Sequence, residues 1–161
     1  MPKPTAQGNI LGFDFGLKRI GVATGSTFTS IAHPHSTIQQ QDTALPPSLK
    51  LLFQEWKPVA CVVGFPTHAD ERTTEHPLQA NCINFAQALA DTFLCSVALV
   101  DEQLSSYAAE HNYRQNHRAP TNKKDKAKID AYAAQQILQD FLDGAPPYQW
   151  IEPMLLSSSS S

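Results

Sequence analysis

The chain has 161 residues, of which 42% are hydrophobic and 17% charged; that length favours one compact unit over a two-domain enzyme, and that composition excludes a charge-extended disordered chain. No apolar run reaches the roughly 18 residues that a bilayer span needs, so no membrane partner is expected. The formal charge of −3 hides an asymmetry: residues 114–128 hold Arg114, Arg118, Lys123, Lys124, Lys126 and Lys128 against the single anion Asp125, while the rest of the chain is acidic. Such a segment suggests contact with a polyanion, and a solvated loop and helix start is the plainer alternative.

The opening Met-Pro-Lys-Pro-Thr-Ala-Gln lacks the apolar stretch of a signal peptide. Cys61, Cys82 and Cys95 are an odd set without C-x-x-C spacing, which fits reduced thiols and a cytoplasmic protein. Five of the seven glycines fall in the first 25 residues, around Asn9–Phe15 and Arg19–Thr24, and predict two strands joined by a tight turn. A third strand is expected near Ser30 to Ile38. Ser48–Trp56 has the apolar spacing of an amphipathic helix, which Lys57-Pro58 stops. Val59–Phe65 is a continuous apolar run, the pattern of a strand buried on both faces in a parallel region. Leu78–Phe93 reads as a helix, Ser96–Val100 as another buried strand, and Ser105 or Ser106 as the cap of a helix running towards His111. Ala127–Leu142 forms the last helix. This order implies an α/β fold, a sheet begun by antiparallel hairpins and extended by crossovers. Residues 1–150 form the expected single domain; residues 151–161, ending in five serines, form an expected disordered tail.

Three carboxylates stand out against this pattern. Alternation along the first strand puts Ile10, Gly12 and Asp14 on one face, with Gly12 and Gly16 expected to leave room for a ligand near the backbone. Counting back by three and four from Ala133 and Ala134 puts Asp130 on the apolar face of the last helix. There the positive end of the helix dipole is expected to ease its charge, or a buried Lys or Arg to pair with it. Asp101-Glu102 closes a buried strand, and alternation from Ala98 and Val100 makes Glu102 the better candidate of the two. Three acids from separate elements at one sheet edge would make a hard-oxygen site for Mg²⁺ or Mn²⁺. The six histidines show no zinc-like pairing, and His33-Pro-His35 is only a weak metal signal.

Four blocks, Ile10–Ala23, Val62–Pro66, Val100–Ser106 and Lys128–Ala134, together resemble the YqgF family, also called RuvX: Holliday-junction resolvases linked to pre-16S ribosomal RNA processing. The resemblance covers about residues 8 to 143. It implies a ribonuclease H-like fold with a mixed five-stranded sheet flanked by helices. It also implies a nuclease that hydrolyses phosphodiester bonds with two divalent ions held by Asp14, Glu102 and Asp130. Lys18 and Arg19 match the family's basic pair, and Arg118, Lys123, Lys124 and Lys126 would join them in holding nucleic acid. The implied substrate is the 5′ end of pre-16S RNA, with ribosomal precursor particles as partners; the alternatives are a DNA four-way junction or a non-catalytic RNA-binding module. Two departures from the family pattern affect substrate contacts: Gln103 stands where Arg is usual, and Thr67–Thr74 has no glycine. A relation to sugar kinases and actin-like ATPases is disfavoured, because those proteins duplicate the core and this chain holds one copy.

Overall fold

A computed structural model describes residues 7–40, 45–65, 77–101 and 123–154, with residues 77, 78, 101 and 123–128 described by their backbone alone. Strands β1 (Asn9–Phe15), β2 (Arg19–Ser26) and β3 (Ile31–Gln39) form an antiparallel meander. Helix α1 (Ser48–Trp56), strand β4 (Ala60–Phe65), helix α2 (Pro77–Phe93) and strand β5 (Ser96–Asp101) follow, then helix α3 (Lys123–Leu142) and strand β6 (Gln149–Ile151). The sheet order is β3-β2-β1-β4-β5-β6. β4 is parallel to both β1 and β5, whereas β6 is antiparallel to β5.

Among the described residues the sheet therefore has six strands, not five. β6 is only three residues long, too short for alternation to announce it after Gly144-Ala-Pro-Pro147. The fold also runs past residue 150. Ile151 is buried in the core, the backbone carbonyl of Glu152 accepts a bond from Gln87, and the Met154 amide donates to Asp91. A tail counted from 151 would cut through β6, and residues 155–161 lie outside the described residues.

Alternation divides the core into two layers. Leu11, Phe13, Phe15, Cys61, Val63, Val97 and Leu99 face α1 and α2, where Phe53 stacks on Phe93 at 3.8 Å between ring centres and Phe85 meets Phe13 and Phe15. Ile10, Ala23, Val62, Ala98 and Val100 face α3 through Ala134, Ile137 and Leu138. β4 is buried at every position, as its unbroken apolar run requires of a strand covered on both faces. Helix α1 ends where the sequence implies: Lys57 turns left-handed at φ 45°, its amide donates to the Phe53 carbonyl, and Pro58 cannot continue the helix.

Two glutamines fix how α3 lies across the sheet. Gln139 Oε1 accepts from the Ala32 amide at 2.9 Å and Gln135 Nε2 donates to the Ala32 carbonyl at 3.0 Å. These bonds satisfy outward backbone groups of edge strand β3, groups that would otherwise be open to pairing with another chain.

Candidate active site

The first carboxylate is placed by the sheet. Asp14 is the sixth residue of β1 and pairs across the ladder with Gly21 of β2. Its neighbours four and two residues back along the same face, Ile10 and Gly12, pack against α3, so alternation directs Asp14 to the α3 side, where it is half-buried.

The second carboxylate is placed by close packing of α3 on β2. A Cβ at Gly21 would lie 2.0 Å from the Asp130 carbonyl oxygen and 2.5 Å from its carbon. No other residue type lets the helix backbone come this near. The residue of β2 opposite Asp14 is thus the one that Asp130 touches, and both acids belong to one face at the end of the sheet where β1 finishes. In the sequence Gly21 marks only the first hairpin, and its role as the contact for α3 is visible in the structure. Its signal was a glycine in the middle of a strand, which marks close approach by another backbone.

Two expectations change here. A Cβ at Gly12 would meet the Leu138 Cβ at 2.7 Å, and one at Gly16 would meet the Arg19 carbonyl at 2.6 Å. The space beside these glycines is filled by α3 and by the β1–β2 turn, and does not admit a ligand. Helix α3 is already formed at Lys123, ahead of the expected Ala127, which sets Asp130 at least two turns inside the helix and beyond reach of the positive dipole end.

What offsets the charge of Asp130 is Arg19, the first residue of β2, whose Nε donates to Asp130 Oδ2 at 2.7 Å. The cationic partner considered for Asp130 is therefore one of the six residues expected to bind substrate. The bond draws the carboxylate towards the β1–β2 turn. Gln40 anchors that turn from beyond β3: its side-chain amide donates to the Gly16 carbonyl, and its backbone amide donates to the Lys18 carbonyl at 2.9 Å. Lys18 is exposed at the tip. Arg19 and Asp130 are 32% and 21% exposed, so their pair is screened by water. Arg19→Ala should cost about 1 kcal/mol or less in a urea unfolding titration, because partly exposed pairs contribute little.

Glu102, Gln103, Arg114 and Arg118 lie outside the described residues, as do the loop 67–74 and the helix expected from Ser105 or Ser106. Ala98 and Val100, from which Glu102 was placed, do belong to the layer under α3. Lys123, Lys124, Lys126 and Lys128 are in the opening turns of α3. Among the described residues, no three His, Cys, Asp or Glu side chains converge as a metal-binding group, and no helix is long and apolar enough to cross a membrane. His33 and His35 are exposed on β3, and His35 contacts Ser36 and Trp56.

An antiparallel three-stranded meander continued by parallel strands, with acids from β1 and from the helix laid across it, defines a ribonuclease H-like α/β protein. The fold is similar to the chain in the solved structure "T. thermophilus RuvC in complex with Holliday junction substrate", with a TM-score of 0.52 at 12% identity over 87% of this chain and 98% of that one. The sequence profile of RuvX, described as Holliday junction resolvase, matches residues 8–144, and the chain belongs to the RuvX family. It is 42% identical over 147 residues to a protein of Methylobacillus flagellatus named "Putative pre-16S rRNA nuclease", covering 89% of this chain and 98% of that protein. A protein of the same name from Thiobacillus denitrificans is 42% identical over 144 residues, covering 89% and 97%.

Proposed function

We propose that this chain is a metal-dependent endonuclease that trims the 5′ end of pre-16S ribosomal RNA in the cytoplasm. The observation that supports this reading is the register of Asp14 opposite Gly21, the residue of β2 against which the Asp130 backbone packs, so that both acids belong to one face at one end of the sheet. Two partly exposed carboxylates are hard-oxygen donors of the kind that suits Mg²⁺ or Mn²⁺, and Glu102 would be the third. Bound there, a pair of divalent ions would supply water activation at neutral pH and neutralise charge on the leaving oxygen. Asp14, Glu102 and Asp130 would hold the ions, Arg19 would keep the Asp130 carboxylate turned to the site, and exposed Lys18 would contact a phosphate. The names of the relatives favour RNA as substrate; the description of the family favours a DNA junction as the second reading.

The lysines that open α3 support a nucleic-acid partner on physical grounds. Lys123, Lys124 and Lys126 fall in one stretch of α3, and a run of cations gives a nucleic-acid backbone contacts that release condensed counterions. Replacing Arg118, Lys123, Lys124 and Lys126 with Ala should weaken binding across sequences and lower the slope of log affinity against log salt by about 0.7 per lost contact on a single strand. An unchanged slope would assign these residues to a solvated face.

The test of the proposal is a cleavage assay run side by side on pre-16S RNA with its 5′ extension and on a four-way DNA junction. We expect RNA cleavage with Mg²⁺ or Mn²⁺, loss of it in chelator, and little with Ca²⁺, whose larger radius and looser coordination would misplace the reacting groups. Cleavage of the junction alone would favour the second reading, and full activity in excess chelator would remove the metal-dependent one.

A further inference from the structure

The described residues place two thiols together far along the sheet from the carboxylates. Cys61 is the second residue of β4 and Cys95 immediately precedes β5, so both sit where these parallel strands begin, whereas Asp14 lies near the end of β1. Their Sγ atoms are 3.9 Å apart, within thiol hydrogen-bond distance. Cys61 is fully buried, and Cys95 is partly open to solvent.

We propose that Cys61 and Cys95 form a peroxide-reactive dithiol, a modification site at which Cys95 is oxidised first and Cys61 resolves it to a disulfide. The Cys95 thiolate attacks one oxygen of a hydroperoxide, breaking the O–O bond and releasing an alcohol or water after protonation, which leaves a sulfenic acid on Cys95. The Cys61 sulfur then attacks the Cys95 sulfur; its proton leaves with the sulfenic hydroxyl as water. Two thiols are thereby oxidised by two electrons, and the peroxide is reduced by the same two.

The environments of the two sulfurs suit these unequal roles. The hydrogen bond from Cys61 draws the Cys95 thiol below its ordinary range, although burial and the nearby Glu152 carboxylate oppose the shift. Burial pushes the Cys61 thiol well up, and its contact with Cys95 adds to this. Thiolate character and access thus coincide on Cys95, the combination that selects the site of peroxide attack, while Cys61 stays protonated behind it. The sulfurs must approach by nearly 2 Å to bond, which falls to the turn before Cys95. That turn is a single left-handed residue, Leu94 at φ 52°, followed by a long 3.3 Å bond from the Cys95 amide to the Ala90 carbonyl. Cys82 is a poor competitor, being buried on α2 with its thiol donating to the Gly64 carbonyl at 3.1 Å.

The experiment treats the full-length reduced protein with a modest excess of hydrogen peroxide and follows intact mass and free thiols. The expected result is the loss of two hydrogens and two thiols, full reversal by dithiothreitol, and a Cys61–Cys95 link located by fragmentation of proteolytic peptides. Cys61→Ser should stop at a sulfenic acid on Cys95 that a cyclic 1,3-dione traps. Peptide mapping of the unaltered protein decides the matter even where that variant folds poorly. Oxygen adducts on Cys95 without a link, a link through Cys82, or three thiols surviving peroxide would each overturn the assignment.

Discussion

Gly21→Ala should destabilise the protein by about 3 kcal/mol or more, at or beyond the upper end of the usual cost of overpacking. The added methyl carbon would meet the Asp130 carbonyl oxygen at 2.0 Å and its carbon at 2.5 Å, and both are backbone atoms of a helix that cannot step aside as a side-chain tip can. Relief requires lifting α3 from β2, which opens the layer built on Ala134, Ile137 and Leu138. Gly25→Ala is the internal control. There the new carbon would meet the tips of Leu138 and Leu142 at 3.0 and 3.1 Å and the Ile31 carbonyl at 3.1 Å, so its cost should be clearly smaller. Urea midpoints of the two variants check the difference, and equal midpoints would mean that α3 does not press on β2 as described. A loss of 3 kcal/mol is a large share of the roughly 5 to 15 kcal/mol that holds most domains folded, so Gly21→Ala should also lose activity at elevated temperature first.

Asp14→Asn should abolish cleavage and leave the fold intact. The amide nearly matches the carboxylate in volume, so the β1–β2 ladder and the α3 layer need not move, but it removes a negative charge from the set proposed to hold the ions. Asp14 shares a sheet end and a face with Asp130, so removing one negative charge relieves repulsion between them in the metal-free protein. Thermal stability without metal should therefore hold or rise while turnover disappears. A variant that melts as the parent does and still cleaves at the parent rate would exclude Asp14 from catalysis.

Most of the scaffold was legible because burial leaves a periodic mark. The continuous run Ala60–Phe65 could only be covered on both faces, and Ser48–Trp56 carried both its helical stripe and its stop. The start of α3 was not legible, because Lys123 to Lys126 is polar throughout and has no apolar stripe to count. β6 left too short a mark. At the candidate site, Asp14 and Asp130 were legible as charges out of place among apolar neighbours. Their surroundings were not, since a glycine records that space is needed without recording what fills it: Gly12 and Gly16 suggested a ligand and serve packing and a turn, while Gly21 pointed only to the hairpin and in fact admits the backbone of α3 against β2. Nor does a sequence say which cation meets Asp130. Arg19 stands 111 residues away and becomes its partner only through the docking of α3 across β2.

Asp14 and Asp130 are assigned to one divalent-ion site, and that assignment has a direct test. Mn²⁺ is titrated calorimetrically into the unaltered protein, Asp14→Asn and Asp130→Asn. Saturable binding by the unaltered protein is expected, with affinity weakened by about 10-fold or more in each variant, since even outer-shell partners of a metal site are worth about 10- to 100-fold. Binding of Mn²⁺ by both variants at the parent affinity would contradict it.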